Sequence, residues 1–523
     1  MAYYPPLNLP AVVVGLSLVA VIYSVRRRRT PYADLTLPPG PRRLPFVGNL
    51  FSLPQSHDWL AYQKWGREIG SDILHVDICG SHVVVLNSAV VAAELFYQRS
   101  GIYSDRPAMS ALNVILGFDW VLAFMPFGSK WRGLRQAFYD HFQPSATLKY
   151  RPIEERTAQE FLRHLLDSPD DFIQHIKQLV GSAIMSIGYG IPVQPRNDPF
   201  LDTGTKALQA LNLASTPSAL ILDVFPICES AYTRIKYNDE YSSPEVTYMP
   251  SWFPGASFKW ERKRWNRHVV GMIEDPFDTV QSAVADGTQV PCIASSMLEG
   301  AQGKRSGLAK QIPANIHLAG IDTMASSLAS FILSMALHPD IRKKAQQELD
   351  SVLHGERLPT FEDQAALPYL DAVVKEVLRW RPAVPMGIPH RLLTDDEYQG
   401  YYIPSGTTVM GNVWAILHDP SVYPNPDQFM PERFLDGTAP DPDAVFGFSR
   451  RACPGQHMAR DVIWITAASI LAAFDITPCG DVDASPESYT SGIISYPAPF
   501  RCTIRTRSKA VEALIVSVVH MDL

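Results

Sequence analysis

Phe446-Gly-Phe-Ser-Arg-Arg-Ala-Cys-Pro-Gly455 sets one cysteine, Cys453, in a tight turn between a loop and an apolar helical pattern. After it, Met458, Ile463, Trp464, Ala467, Ile470, Leu471 and Phe474 recur at helical spacing. A helix starting just past Cys453 aims its first N–H groups at the sulphur and favours the thiolate over the thiol. Gly455 lets the backbone fold in without a Cβ. The spacing of Phe446, Arg451, Cys453 and Gly455 suits a loop that holds a thiolate against the face of a haem. There a thiolate pushes electron density toward O–O cleavage. The plain alternative is a buried structural cysteine, since free Cys is among the most buried residue types. The ten-residue context and several distant stretches weigh against it.

Composition narrows the classes. The chain has 523 residues, 46% hydrophobic and 19% charged, which is ordinary globular material with enough apolar content for a large core. A net charge of −7 leaves no basic surplus to neutralise phosphates, so nucleic acid is excluded as the natural partner. The six cysteines (Cys79, Cys228, Cys292, Cys453, Cys479 and Cys502) contain no C-x-x-C pair. That pattern disfavours a zinc site or a disulfide scaffold and suits a reducing compartment.

Leu7 to Val25 is almost wholly apolar and is followed at once by Arg26–Arg29. As a helix it reaches roughly 28 Å, about one hydrocarbon core. A signal peptide carries its positive charge before the apolar run, so a membrane anchor with the body on the cytosolic side is expected. Leu37-Pro-Pro-Gly-Pro41 reads as a stiff spacer between anchor and body. Asp72 to Ser88 alternates around Gly80-Ser81 and predicts a β-hairpin. Trp131 and Arg135 share a helix face and suit an anionic group such as a carboxylate, although such pairs are often surface stacks. Residues 229–248 read as an irregular loop, and the apolar cluster Pro250–Gly255 suits either core or membrane.

Residues 314–337 form an apolar helical window bounded by Pro313 and Pro339. Its polar residues argue for a central buried helix rather than a membrane span. Asp322-Thr323 beside Gly320 is costly there unless used or capped, and a solvated polar stripe is the competing reading. Helices are expected over 340–353 and 366–380. The second carries Glu376 and Arg379, which can pair across one turn as many surface ions do. His390-Arg391 opens a strand-like segment with a turn at Gly400, and a proline-rich loop carries Pro431-Glu-Arg-Phe434.

Taken in order, Trp131-x-x-x-Arg135, Ala319-Gly320-x-Asp322-Thr323, Glu376-x-x-Arg379, Pro431-Glu432-Arg433-Phe434 and the Cys453 loop resemble the cytochrome P450 family, over essentially the whole chain. The basic-flanked anchor and the Pro-Pro-Gly-Pro hinge resemble its microsomal, class II members. Pro250–Gly255 and Thr490–Pro497 resemble fungal members, in the group that includes O-methylsterigmatocystin oxidoreductase. The resemblance implies a mainly α fold with small β-sheets. Residues 1–29 are expected as membrane anchor and basic stop, 30–45 as hinge and 46–523 as a single catalytic domain.

The resemblance also implies the chemistry. Haem b would be held by Cys453 as axial thiolate, with Phe446 packed nearby. Arg451, Trp131, Arg135, His390 and Arg106 would contact its propionates, and Ala319 would border it. Asp322 and Thr323 would serve as the acid–alcohol pair, Thr323 hydrogen-bonding dioxygen and Asp322 helping to deliver protons. Gly320 would permit a local helix distortion. Glu376, Arg379 and Arg433 would form a buried triad. Met109, Leu112, Ile115, Val384, Ile388, Ile493 and Ile494 would line a pocket for a hydrophobic small molecule, such as a fungal terpenoid or polyketide, or a xenobiotic. Electrons would come from NADPH through NADPH-cytochrome P450 reductase, with cytochrome b5 as a further donor. The protein would sit in the endoplasmic reticulum membrane, in contact with lipid. Competing readings are a haem-thiolate isomerase or dehydratase that uses no dioxygen, which the Asp322-Thr323 pair disfavours, and a non-catalytic haem-binding protein. One position departs from the family: Ser449 stands where glycine is usual. If that position needs a positive φ, serine is strained by about 1–3 kcal/mol.

Overall fold

The computed structural model describes residues 32, 34–109, 111–214, 258–299 and 306–518. The apolar run Leu7–Val25, the loop 229–248 and the cluster Pro250–Gly255 lie outside them. The principal helices are α1 (Asp58–Ile69), α2 (Ser129–Phe142), α3 (Arg151–Asp167), α4 (Phe172–Tyr189), α5 (Pro199–Ala214), α6 (Phe258–Ala285), α7 (Ser306–Leu337), α8 (Pro339–Leu353), α9 (Pro368–Trp380) and α10 (Gln456–Ala473). Strands β1 (Ile73–Ile78), β2 (Ser81–Leu86), β3 (His390–Arg391) and β6 (Thr408–Gly411) make a four-stranded sheet in the order β1-β2-β6-β3. Strands β4 (Asp396–Tyr398) and β5 (Tyr401–Ile403) form one hairpin, and β7 (Phe474–Pro478) and β8 (Cys502–Thr506) another antiparallel pair. The architecture is mainly α with small sheets.

The expected hairpin at 72–88 forms, but its turn is one residue earlier than predicted. Cys79 and Gly80 both take positive φ (50° and 90°), the requirement of a tight two-residue hairpin turn. The expected spacer is bonded to the body. Tyr402 N–H donates to the Thr36 carbonyl, and His75 N–H to that of Pro39, both at 2.8 Å.

α7 is the axle. It packs on α2, α4, α5, α6, α8, α9, α10 and β7. It starts at Ser306, well before the predicted boundary at Pro313, which lies inside it. Proline lacks only the N–H that would reach back one turn, and here close packing holds the helix past that loss. A Cβ on Gly188 of α4 would come within 3.3 Å of the Pro313 ring, so glycine lets the two helices approach there. α7 is the one helix among the described residues long and apolar enough to cross a membrane. Its position explains that composition: Ile312, Leu328, Phe331 and Ile332 are fully buried in the main core with side chains of α4, α9 and α10. A helix surrounded by protein is apolar on all sides for the same reason as one surrounded by lipid.

Candidate functional site

The Cys453 loop is folded on its own backbone. Cys453 N–H donates to the Phe446 carbonyl at 2.7 Å, and Ala452 N–H to that of Ser449 at 3.0 Å. Gly447 (φ 80°, ψ −163°) occupies a region that is essentially glycine-only. Ser449 has φ 51°, so this L-residue does stand in the left-handed region. Gly455 behaves differently from expectation. Its φ is −91°, open to any residue, and a Cβ there would meet only the Cys453 sulphur at 4.0 Å. It caps α10, and its N–H is the group that reaches the sulphur. Burial pushes the Cys453 thiol up, while that N–H and the Arg135 guanidinium pull it back down.

Facing this loop is a concentration of positive charge. The Arg451 guanidinium lies 4.3 Å from the centre of the Trp131 ring. Its Nε donates to the Ser104 carbonyl at 2.7 Å, whereas Nη1 and Nη2 are buried and have no hydrogen-bond partner among the described residues. Burial pushes Arg451 down to about 10; Asp105 opposes that shift and Arg135 adds to it. His390 Nδ1–H donates to the Tyr103 carbonyl at 2.8 Å. Burial, together with Arg106 and Arg451, keeps the His390 ring neutral. Arg106 is buried beside Arg451 and tied to main-chain carbonyls. Its Nε donates to the Ala123 carbonyl and its Nη1 to those of Ile388 and Pro389, all at 2.7 Å. It ties the start of β3 to the rest of the site with those nitrogens. The stretch Tyr103–Arg106 thus seats His390, Arg451 and β3 together.

On α7, Ala319 is exposed between the buried residues Leu318 and Ile321. Thr323 Oγ–H donates to the Ala319 carbonyl at 2.8 Å. Asp322 Oδ1 accepts from the Tyr496 hydroxyl at 2.9 Å and lies 3.9 Å from Lys177 Nζ. Gly320 is in unbroken helix. A Cβ there would meet Ile184 Cδ1 of α4 at 2.7 Å, so its evident service is close helix packing. Neither Tyr496 nor Lys177 was legible as a partner of Asp322, because each is distant in sequence and unremarkable locally.

The apolar residues divide. Met109, Leu112, Ile388 and Ile493 join one cluster with Ala314 and Leu318 of α7 and Ala207 and Leu211 of α5. Val384 is half-buried and Ile494 buried, both outside that cluster. Ile115 lies on the π-helical turn Ala111–Leu116, and its side chain is outside those described.

Behind the site, Glu376, Arg379 and Arg433 are buried together. Arg379 grips Glu376 with Nε and Nη2 at 2.7 and 2.8 Å. Arg433 Nε stands 3.2 Å from Glu376 Oε2, close enough to pair though without hydrogen-bond alignment. Met430 N–H adds a second hydrogen bond to Glu376 Oε1 at 2.8 Å, and other guanidinium nitrogens donate to carbonyls including those of Leu417 and Pro424. This is a closed network rather than a surface pair.

These residues fit a haem. Buried guanidinium nitrogens without partners call for an anion. Arg451, repelled by both Arg106 and Arg135 and with Asp105 as its near counter-charge, suits the carboxylates of protoporphyrin. Comparison with known proteins agrees. The cytochrome P450 sequence profile matches residues 38–242 and 252–504. The chain is 37% identical over 519 residues to a cytochrome P450 monooxygenase of Armillaria gallica, covering 95% of this chain and 98% of that protein. It is 38% identical to one of Rhodocybe pseudopiperita (92% and 91% covered) and 38% identical to cytochrome P450 monooxygenase 98 of Postia placenta (97% and 96%). The chain belongs to the cytochrome P450 family. It is a haem-thiolate monooxygenase that carries haem b on a cysteine thiolate.

Two outcomes follow from this geometry. Glu376→Gln removes the counter-charge of two buried arginines and is expected to cost on the order of 3–5 kcal/mol. Expression should yield little soluble holoprotein; a thermal midpoint unchanged from wild type would refute the network's importance. Ser449→Gly relieves a left-handed L-residue and should stabilise the holoprotein by up to about 1 kcal/mol after the entropic cost of glycine. Slower transfer of haem to an acceptor protein checks it, and unchanged transfer would show the turn to be unstrained.

Proposed function

We propose that Cys453 is the thiolate that holds the haem, and that Arg451, Trp131, Arg135 and His390 bind its propionate edge. The observation carrying this reading is the Arg451 guanidinium: buried, stacked on Trp131, with two nitrogens unpartnered, two residues from Cys453. When bound, the haem supplies reductive activation of dioxygen, so that a substrate C–H, O₂, two electrons and two protons give an alcohol and water. The chain's residues do the rest. Gly455 N–H and Arg135 favour the anionic sulphur. Thr323, its own proton committed to Ala319, offers oxygen lone pairs to a water or other donor beside Ala319. Asp322 exchanges protons one residue away.

The apolar cluster of Met109, Leu112, Ile388 and Ile493 supports a hydrophobic substrate, for which fungal terpenoids, polyketides or xenobiotics are the fitting classes. Val384, Ile494 and Ile115 complete the lining in this reading. The arginine-flanked apolar run supports anchoring in the endoplasmic reticulum membrane with the catalytic body, 46–523, on the cytosolic side. Electrons then come from NADPH-cytochrome P450 reductase, with cytochrome b5 as a second donor.

Cys453→Ala should abolish the thiolate-type Soret band of the reduced carbon monoxide complex; its persistence would remove Cys453 as ligand. Thr323→Ala should leave haem binding intact but divert reducing equivalents to hydrogen peroxide, measured as peroxide released per NADPH oxidised. An unchanged ratio would take Thr323 out of the mechanism.

A further inference from the structure

Asp322, Ser326 and Ser330 stand at i, i+4 and i+8 on α7, hence on one face of it. All three bond to the same short stretch of chain. Tyr496 O–H donates to Asp322 Oδ1 at 2.9 Å. The Ser326 hydroxyl donates to the Ser495 carbonyl. Tyr489 O–H donates to Ser330 Oγ at 3.2 Å. The stretch is closed on itself: Thr490 N–H reaches the Tyr496 carbonyl at 2.7 Å, and Tyr496 N–H reaches Thr490 Oγ at 2.9 Å. It is a rigid loop latched along the central helix at three successive turns, with Ile493 and Ile494 between the latches.

The Asp322 carboxylate is held unevenly. The Tyr496 hydroxyl donates to Oδ1, which is also the oxygen nearer Lys177 Nζ, and no hydrogen bond reaches Oδ2 among the described residues. The Lys177 ammonium also lies 5.5 Å from the centre of the Tyr496 ring. Burial and the Asp322 charge hold the Tyr496 proton on far above the usual phenol range, so the phenol is a donor throughout the working pH range.

We propose that Tyr496 is a positioning residue for the monooxygenase reaction: its phenol pins Oδ1 of Asp322, leaves Oδ2 as the oxygen that exchanges protons, and ties the carboxylate's place to the seat of the 489–496 loop. This rests on the reading of Asp322 given above. A carboxylate that keeps one oxygen fixed turns about that bond alone, which restricts the geometries from which it can deliver a proton. Lys177, at 3.9 Å and half-buried, adds charge without comparable direction.

The test uses full-length holoprotein reconstituted with NADPH-cytochrome P450 reductase and needs no identified substrate. It reads the ratio of hydrogen peroxide to water formed as NADPH is oxidised, and the solvent deuterium effect on that oxidation. Tyr496→Phe keeps the ring and deletes the donor. The ratio should rise by up to about tenfold, the equivalent of one charge-assisted hydrogen bond, with an enlarged solvent isotope effect. Tyr489→Phe removes a latch that does not touch Asp322 and should leave both unchanged. In an Asp322→Asn background, Tyr496→Phe should add nothing. Hydrogen–deuterium exchange of the 489–497 peptide should be near wild type in Tyr496→Phe, because the Ser326 and Ser330 latches remain. If Asp322→Asn uncouples while Tyr496→Phe behaves as wild type, the inference fails and the role of Asp322 stands. If Asp322→Asn itself behaves as wild type, that role fails and the inference with it. If Tyr496→Phe uncouples only together with exchange of the whole loop, Tyr496 is a scaffold residue and the proposal is overturned.

Discussion

A buried helix carries polar groups at little cost where a partner is waiting for them, and α7 meets that constraint at most of its polar residues; His317, fully buried with neither ring nitrogen hydrogen-bonded among the described residues, is kept neutral by burial instead. Asn315 shows the rule near its start: its amide accepts from Leu122 N–H at 2.7 Å and donates to the Trp120 and Gln311 carbonyls. Thr323 turns its proton onto Ala319, Ser326 and Ser330 reach the 489–496 loop, and Asp322 meets Tyr496 and Lys177. Ala319 is exposed in the middle of this helix, between buried neighbours. The polar residues of α7 therefore fix the segments that cross it.

The same rule acts with charge at two other places, to opposite ends. Glu376 sits between Arg379 and Arg433 in a network whose donors and acceptors are nearly all used, so it is a structural joint with little capacity to bind anything else. Arg451 is also buried but has two nitrogens without a hydrogen-bond partner among the described residues, and its neighbours Arg106 and Arg135 repel it. A saturated buried cluster holds a fold together; an unsaturated one recruits a ligand of opposite sign.

Much of this was legible in the sequence because it is local or periodic. The Cys453 turn with its following helix, the apolar window of α7 and the Glu376/Arg379 spacing are all set by residues within a few positions of one another. The positive φ at Ser449 was suggested only by the family resemblance, which has glycine there; the serine itself gives no sign of it. What was not legible is non-local. Proline inside α7 reads as a boundary until Gly188 of a different helix is seen to make room for it. Arg106 has the composition of a ligand residue, and only the fold shows carbonyls of Ala123, Ile388 and Pro389 taking two of its nitrogens. Tyr496 and Asp322 are 174 positions apart, and neither local sequence hints at the other.

The three latches of the 489–496 loop have a bearing on how such an enzyme can change over generations. They are made by Tyr489, by Tyr496 and by a main-chain carbonyl at Ser495, and none uses the side chains of Ile493 or Ile494. On the pocket lining proposed above, substitutions at those two positions alter its shape while the loop keeps its seat on α7 and Asp322 keeps its partner. The arrangement separates the part of the wall open to mutational drift from the part that must stay fixed. On that reading, single changes there reshape the lining without unseating the loop from α7 or parting Tyr496 from Asp322.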